Sequence, residues 1–129
     1  MCMSVSFNVK PYRKKKVAYK VVTKEGFGSI FANCSNLKIG VEYEAKPYRL
    51  EYQMLIGFHA YLKKEHAIAA KNFLGGIEYF GKSAYPPLTV VKIKVRDIQE
   101  AGIGATCCVD MARNYIAISA RYMTILGEV

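Results

Sequence analysis

Tryptophan is absent from this chain of 129 residues, histidine occurs only twice, and ten Asp and Glu are set against nineteen Lys and Arg. Each shortage excludes something. The few carboxylates are scattered, so no pair can be named for the two-carboxylate chemistry of glycoside hydrolysis. The resulting net charge of +9 rules out an acidic mimic of DNA. No apolar run reaches the roughly 18 residues a membrane-spanning helix requires. Met1 to Asn8 is short and interrupted by polar residues, unlike a secretory leader. Collagen-like, coiled-coil and low-complexity classes fail on composition. The nucleophile elbow G-x-S-x-G and the zinc-protease motif H-E-x-x-H are both missing. Gly102-Ile103-Gly104-Ala105-Thr106 lacks the spacing and the lysine of a phosphate-binding loop and reads as a turn.

The cysteines, Cys2, Cys34, Cys107 and Cys108, include no C-x-x-C pair. Neighbours on a strand point to opposite faces, so a disulfide between Cys107 and Cys108 would be strained. Reduced thiols and a cytoplasmic setting are the expectation. A zinc site from Cys34, Cys107, His59 and His66 matches no standard ligand spacing, so neither metal nor cofactor is expected.

What is present is a globular composition, 52% hydrophobic and 22% charged, in a length that suits one domain over residues 1–129. The dominant hydrophobic period is two. Val5, Phe7 and Val9 alternate with polar residues. Val17, Tyr19 and Val21 oppose Ala18, Lys20 and Val22 on a second strand, and Glu25-Gly26 predicts a tight turn into a hairpin partner over 27–32. Leu37 to Glu44 alternates again, and Met54 to Tyr61 reads as one apolar strand. The period then changes: residues 63–74 are rich in helix formers and stop at Gly75-Gly76, with Ala67, Ala70 and Leu74 on one face beside Phe73. Ile77 to Phe80 reads as a short strand and 81–87 as a loop. Leu88 to Ile98 follows as a long strand, with Val91, Ile93 and Val95 inward and Lys92, Lys94 and Arg96 outward. Gln99 to Ala105 reads as a loop, Thr106 to Asp110 as a short apolar stretch, and Asn114 to Leu126 as a last strand. Ile116, Ile118, Ala120, Tyr122 and Leu126 would share one of its faces. The fold class is α+β, a twisted and mostly antiparallel sheet or partial barrel with one main helix.

Two features carry candidate chemistry. The first is basic: Arg13, Lys14, Lys15 and Lys16 follow a Lys10-Pro11-Tyr12 turn, and alternation sets Lys92, Lys94 and Arg96 in a row spaced about 7 Å apart. Cations so spaced suit a phosphate backbone, and Tyr12 or Tyr19 suits base stacking. The plain alternative is a solvated outer sheet face with a basic turn. The second is His59, within Gly57-Phe58-His59-Ala60-Tyr61. It is a candidate general base oriented by Glu65, Tyr61 or Asp110, or else a structural histidine bonded to the backbone.

The order Tyr19-Lys20-Val21-Val22, Tyr43, Gly57-Phe58-His59-Ala60-Tyr61, then Ala67 and Ala70 resembles small phage- and virus-borne proteins of unknown function, over roughly Ala18 to Phe73. That resemblance implies no activity. It implies a viral or mobile-element origin and action on host or viral macromolecules, and so a host cytoplasm if the origin is viral.

The expectation is therefore a small basic binding protein without catalytic activity, contacting nucleic acid with low sequence specificity. Arg13, Lys14, Lys15, Lys16, Lys92, Lys94 and Arg96 would meet phosphates. The alternatives are an accessory inhibitor docking on an acidic face of a host or defence protein, in the manner of anti-CRISPR proteins, and a small enzyme built on His59. The last strand, read as an edge, would be open to a second copy in a homodimer.

Overall fold

The computed structural model describes residues 2–28, 36–45, 48–50, 53–55, 57–105 and 115–129. The described elements follow the order β1 (Cys2–Phe7), a 3-10 turn (Lys10–Tyr12), β2 (Val17–Thr23), β3 (Glu42–Glu44), β4 (Tyr48–Leu50), β5 (Gln53–Leu55), β6 (Phe58–Tyr61), α1 (Lys64–Gly75), β7 (Glu78–Tyr79), β8 (Lys82–Ser83), β9 (Leu88–Ala105) and β10 (Ile116–Glu128). The class is α+β, as the sequence implied. Six strands form one antiparallel sheet in the order β1-β9-β2-β6-β10-β3. A further pairing of β9 with β10 turns β9, β2, β6 and β10 into a partly closed ring. Strands β4–β5 and β7–β8 make two separate hairpins.

Two apolar layers hold this sheet. Ala18, Val22, Ala60, Val91, Ile93, Val95, Ile98, Ile118, Met123 and Ile125 fill one face. The opposite face carries Val21, Tyr61, Leu88, Val90 and Ala117, covered by α1 through Ala67, Ala70 and Leu74. Alanines at two of these three positions let the helix axis approach the strands closely, and Leu74, only 2% exposed, contributes roughly 1.5–3 kcal/mol by its burial. The helix matches its expected span to within a residue. It ends at Gly76 in a right-handed conformation, closed by the Gly76 N–H donating to the Leu74 and Phe73 carbonyls.

Several sequence expectations are corrected. Residues 54–61 are not one strand: Gly57, at φ 103°, separates β5 from β6. A Cβ there would collide with Ser119 Oγ and the Ala120 carbonyl, so only glycine lets β6 approach β10. Gln99 to Ala105 is not a loop but the second half of β9, paired with β1 on one side and β10 on the other. Its glycines there are sheet residues. The faces of β10 also differ from strict alternation. Between Val95 and Ile98 on β9, and between Ala120 and Met123 on β10, consecutive inward residues lie three apart. Asp97, left-handed at φ 59°, marks this corner. The flip turns Tyr122 outward and buries Met123, and an extra residue in β10 near Leu126 leaves that side chain 46% exposed. Nor is β10 an edge: β9 lies along one side, and β6 and β3 occupy the other. Leu37 to Glu44 is reduced to an isolated bridge at Ile39 and the short β3.

Residues 77–83 form a hairpin, not a strand and loop. Tyr79 pairs with Lys82, leaving Phe80 and Gly81 as a two-residue turn with φ of 53° and 77°. Both residues are left-handed, as in a type I′ turn, for which Asn-Gly is the favoured pair. The tight turn expected at Glu25-Gly26 is present, with Gly26 at φ 73° and the Thr23 N–H donating to the Gly28 carbonyl at 2.9 Å. The hairpin partner expected over 27–32, and the stretch 106–110 with Cys107, Cys108 and Asp110, lie wholly or mainly outside the described residues, as does Cys34.

Candidate nucleic-acid interface

The long alternating strand β9 sets out the charges. Its outward positions run Leu88, Val90, Lys92, Lys94, Arg96. The first two lie under α1, and the three cations emerge beyond the helix as exposed residues, as alternation required. The Lys-rich turn meets this row. The Val95 N–H donates to the Lys16 carbonyl at 2.8 Å, and Val17 pairs with Lys94 in the β2–β9 register. Arg13, Lys14, Lys15 and Lys16, all exposed, therefore sit against the β9 edge in the gap between its pairings with β2 and β1. The backbone ties of Tyr12 N–H to Val9 O and Lys15 N–H to Tyr12 O hold the turn. A hollow of about 300 Å³ beside it is lined by Arg13, Asp97, Ile98 and Gln99. The backbone thus joins two basic segments 76 or more residues apart in the chain.

The row is not uniform. Arg96 reaches across β10 to Glu42 on β3, with Nη2 donating to Oε1 at 2.7 Å and Nε to Oε2 at 3.4 Å. Its guanidinium also lies 3.8 Å from the centre of the Tyr122 ring. Arg121 pairs likewise with Glu44, Nη2 to Oε1 at 2.9 Å. The Arg96 hydrogen bond holds the Glu42 carboxyl below the usual carboxylate range, with Lys94 adding to the pull. The bond from Glu42 raises Arg96, and that from Glu44 raises Arg121. These pairs are solvent-exposed, so water screens them and they organise the surface more than they stabilise it. Among the described residues, Lys92, Lys94 and the turn cations have no carboxylate within ion-pair distance. The expected row of equivalent phosphate contacts is thus divided: Lys92 and Lys94 are available, and Arg96 is already engaged.

Of the tyrosines proposed for stacking, Tyr19 is the cross-strand partner of Lys92 and so lies on the charged face, whereas Tyr12 packs on the opposite layer. Tyr12 packs against the larger apolar layer and stacks on Phe7 at 6.4 Å, and Tyr19 packs into the layer under α1. Both rings are half-buried and committed to packing. Tyr122, which strict alternation had grouped with Ile116, Ile118 and Ala120, also lies on this face, under the Arg96 guanidinium. Lys20, which alternation sets on one face with Ala18 and Val22, is buried with them, its Nζ donating to the His59 carbonyl at 2.7 Å. The sequence carried a signal for Lys20, which shares a parity with Ala18 and Val22, but none for Tyr122, whose outward turn depends on the left-handed backbone of Asp97.

His59 is half-buried on β6 opposite Ser119. Burial, reinforced by the nearby Lys20 charge, pushes its imidazole down to about 3. So weak a base is poorly matched to proton abstraction near neutral pH. His66 lies on α1 with its ring stacked on Tyr115 at 4.3 Å, and burial lowers it too. Tyr61 meets Tyr115 edge-on and is raised by burial to about 12. Glu65 is exposed on the first turn of the helix, and Asp110 lies outside the described residues. Among the described residues no group of three metal-ligating side chains gathers, and no helix is long and apolar enough to cross a membrane. Compared with protein-family models, curated proteins and solved structures, the chain matches none.

Proposed function

We propose that the protein binds nucleic acid with low sequence specificity through the merged surface of Arg13, Lys14, Lys15, Lys16, Lys92 and Lys94. The single observation that carries this reading is the junction of the turn with the β9 row through Lys16 and Val95. Two distant cation-bearing segments are joined there by their backbones, while Glu42 and Glu44 are each already bonded to an arginine. A phosphate backbone rewards such a surface by releasing condensed counterions, and it needs no reading helix.

The test is titration of labelled single- and double-stranded DNA and RNA across a salt series, with wild type and Lys92→Glu/Lys94→Glu. Wild type should bind with a steep negative log–log salt slope. The variant should lose affinity, with a slope shallower by roughly 1.4 to 1.8, the value for two phosphate contacts. Equal binding by the variant removes the β9 row from the interface. Absence of binding by wild type at any salt overturns the reading and redirects the cations toward an acidic protein face.

A further inference from the structure

The β7–β8 hairpin carries an apolar feature that the fold does not use. Phe80 is 103% exposed at its tip and Tyr79 beside it is 67% exposed. At full exposure the ring packs on none of the described residues. The backbone is also unfavourable for it: φ is 53°, a left-handed conformation in which a bulky side chain is a clear outlier. The neighbouring turn residue is Gly81, so an Asn-Gly turn was one substitution away. Both the solvation and the backbone conformation of Phe80 thus oppose its presence, and strain retained against local preference points to a use outside the chain.

The base of the hairpin is firm. The Ala84 N–H donates to the Ile77 carbonyl at 2.8 Å, and the Ile77 N–H donates to the Leu74 carbonyl at 3.2 Å. Ile77 and Tyr85 pack with Leu88 and Val90, the residues that precede Lys92 on the outward side of β9. The hairpin therefore stands on the same side of the sheet as the cation row. Lys82, paired with Tyr79, adds an exposed cation at the tip itself.

We infer that Phe80, with Tyr79, is a base-stacking finger and that the ligand of the basic surface is single-stranded nucleic acid. The inference rests on the function proposed above and names its ligand class. An aromatic ring stacks on any base face, which gives affinity without sequence preference, and unpaired bases offer that face without the unstacking a duplex demands. Lys82 beside the ring would meet the phosphate of the stacked nucleotide.

The experiment compares wild type, Phe80→Ala and Phe80→Trp on a labelled 20-nucleotide single strand and on its duplex, across salt, with anionic phospholipid vesicles as a separate probe. Phe80 is fully exposed and packs on none of the described residues, so Phe80→Ala should fold as wild type does, which circular dichroism checks. Wild type should prefer the single strand. Phe80→Ala should weaken single-strand binding about 5- to 150-fold with an unchanged salt slope. Phe80→Trp should restore or improve it. If wild type binds but Phe80→Ala binds equally well, or if the duplex is preferred, the finger is overturned and the basic surface stands. If wild type binds no nucleic acid, both readings fail together. Loss of vesicle binding in Phe80→Ala, with nucleic-acid affinity untouched, would overturn the inference in favour of a lipid surface.

Discussion

Leu88 and Val90 project from the same face of β9 as Lys92, Lys94 and Arg96, yet the first pair is buried at 9% and 3% exposure while the three cations are exposed. One strand and one alternation serve two regions. The difference is the helix: α1 lays Ala67, Ala70 and Leu74 over the first region and does not cover the second. The change from apolar to cationic side chains at outward positions falls between Val90 and Lys92, where the cover ends. The comparison shows that this face is divided by what lies above it, and that its uncovered half is a surface the fold leaves free to carry charge.

The strongest way to break the division is to move the cation row one step under the helix. Val90→Lys would remove a buried apolar side chain and place an ammonium among Val21, Leu88 and α1, and should cost at least about 3 kcal/mol. Lys92→Val, on the open side, should change stability by less than about 0.5 kcal/mol. Urea denaturation of the two variants measures both, and a tolerated Val90→Lys would show that the helix does not seal its half.

A smaller effect locates a polar residue at the boundary. His59 lies on the β6 strand that α1 partly covers, and its pKa falls from an unfolded value near 6.5 to about 3. Between those values the unfolded chain binds the proton and the folded one does not. Stability from a neutral His59 is therefore fully present above about pH 6.5 and is lost as pH falls toward 3, at up to about 1.4 kcal/mol per pH unit. Wild type should lose about 2 kcal/mol more than His59→Gln between pH 7 and pH 4.5 in urea titrations. Equal losses would mean that His59 is solvated like a residue of the open half.

The smallest effect lies at the hairpin whose base packs on the covered half. Phe80→Asn should stabilise the protein by about 1 kcal/mol, because asparagine accepts the left-handed turn that phenylalanine resists. Thermal denaturation would read this as a rise of a few degrees, and a fall would mean that Phe80 makes a stabilising contact. Paired with weaker nucleic-acid binding, greater stability in Phe80→Asn would mark a residue kept for function.

Alternation and composition made much of this legible. The inward set Val91, Ile93, Val95, the outward cations and the helix over residues 63–74 all follow from periods of two and 3.6. The errors cluster where local conformation departs from the period. Asp97 at φ 59° flips the faces of two strands at once, so Tyr122 and Met123 exchanged places relative to expectation. Glycines in 99–105 resembled loop punctuation, and the pairing of that segment with β1 and β10 made it strand. Phe80 looked like a strand aromatic because nothing local announces a turn that disfavours its own residue.

Net charge, the absence of known catalytic motifs, the α+β class and the polarity of the β9 face were all decided by residue type and spacing, since each depends on local periodicity or simple counting. Three further matters were decided only in three dimensions: the union of the Arg13–Lys16 turn with the β9 row, the capture of Arg96 by Glu42, and the projection of Phe80. Each depends on strand register and chain closure over dozens of residues. Register is fixed by the packing of the whole sheet and not by any one segment.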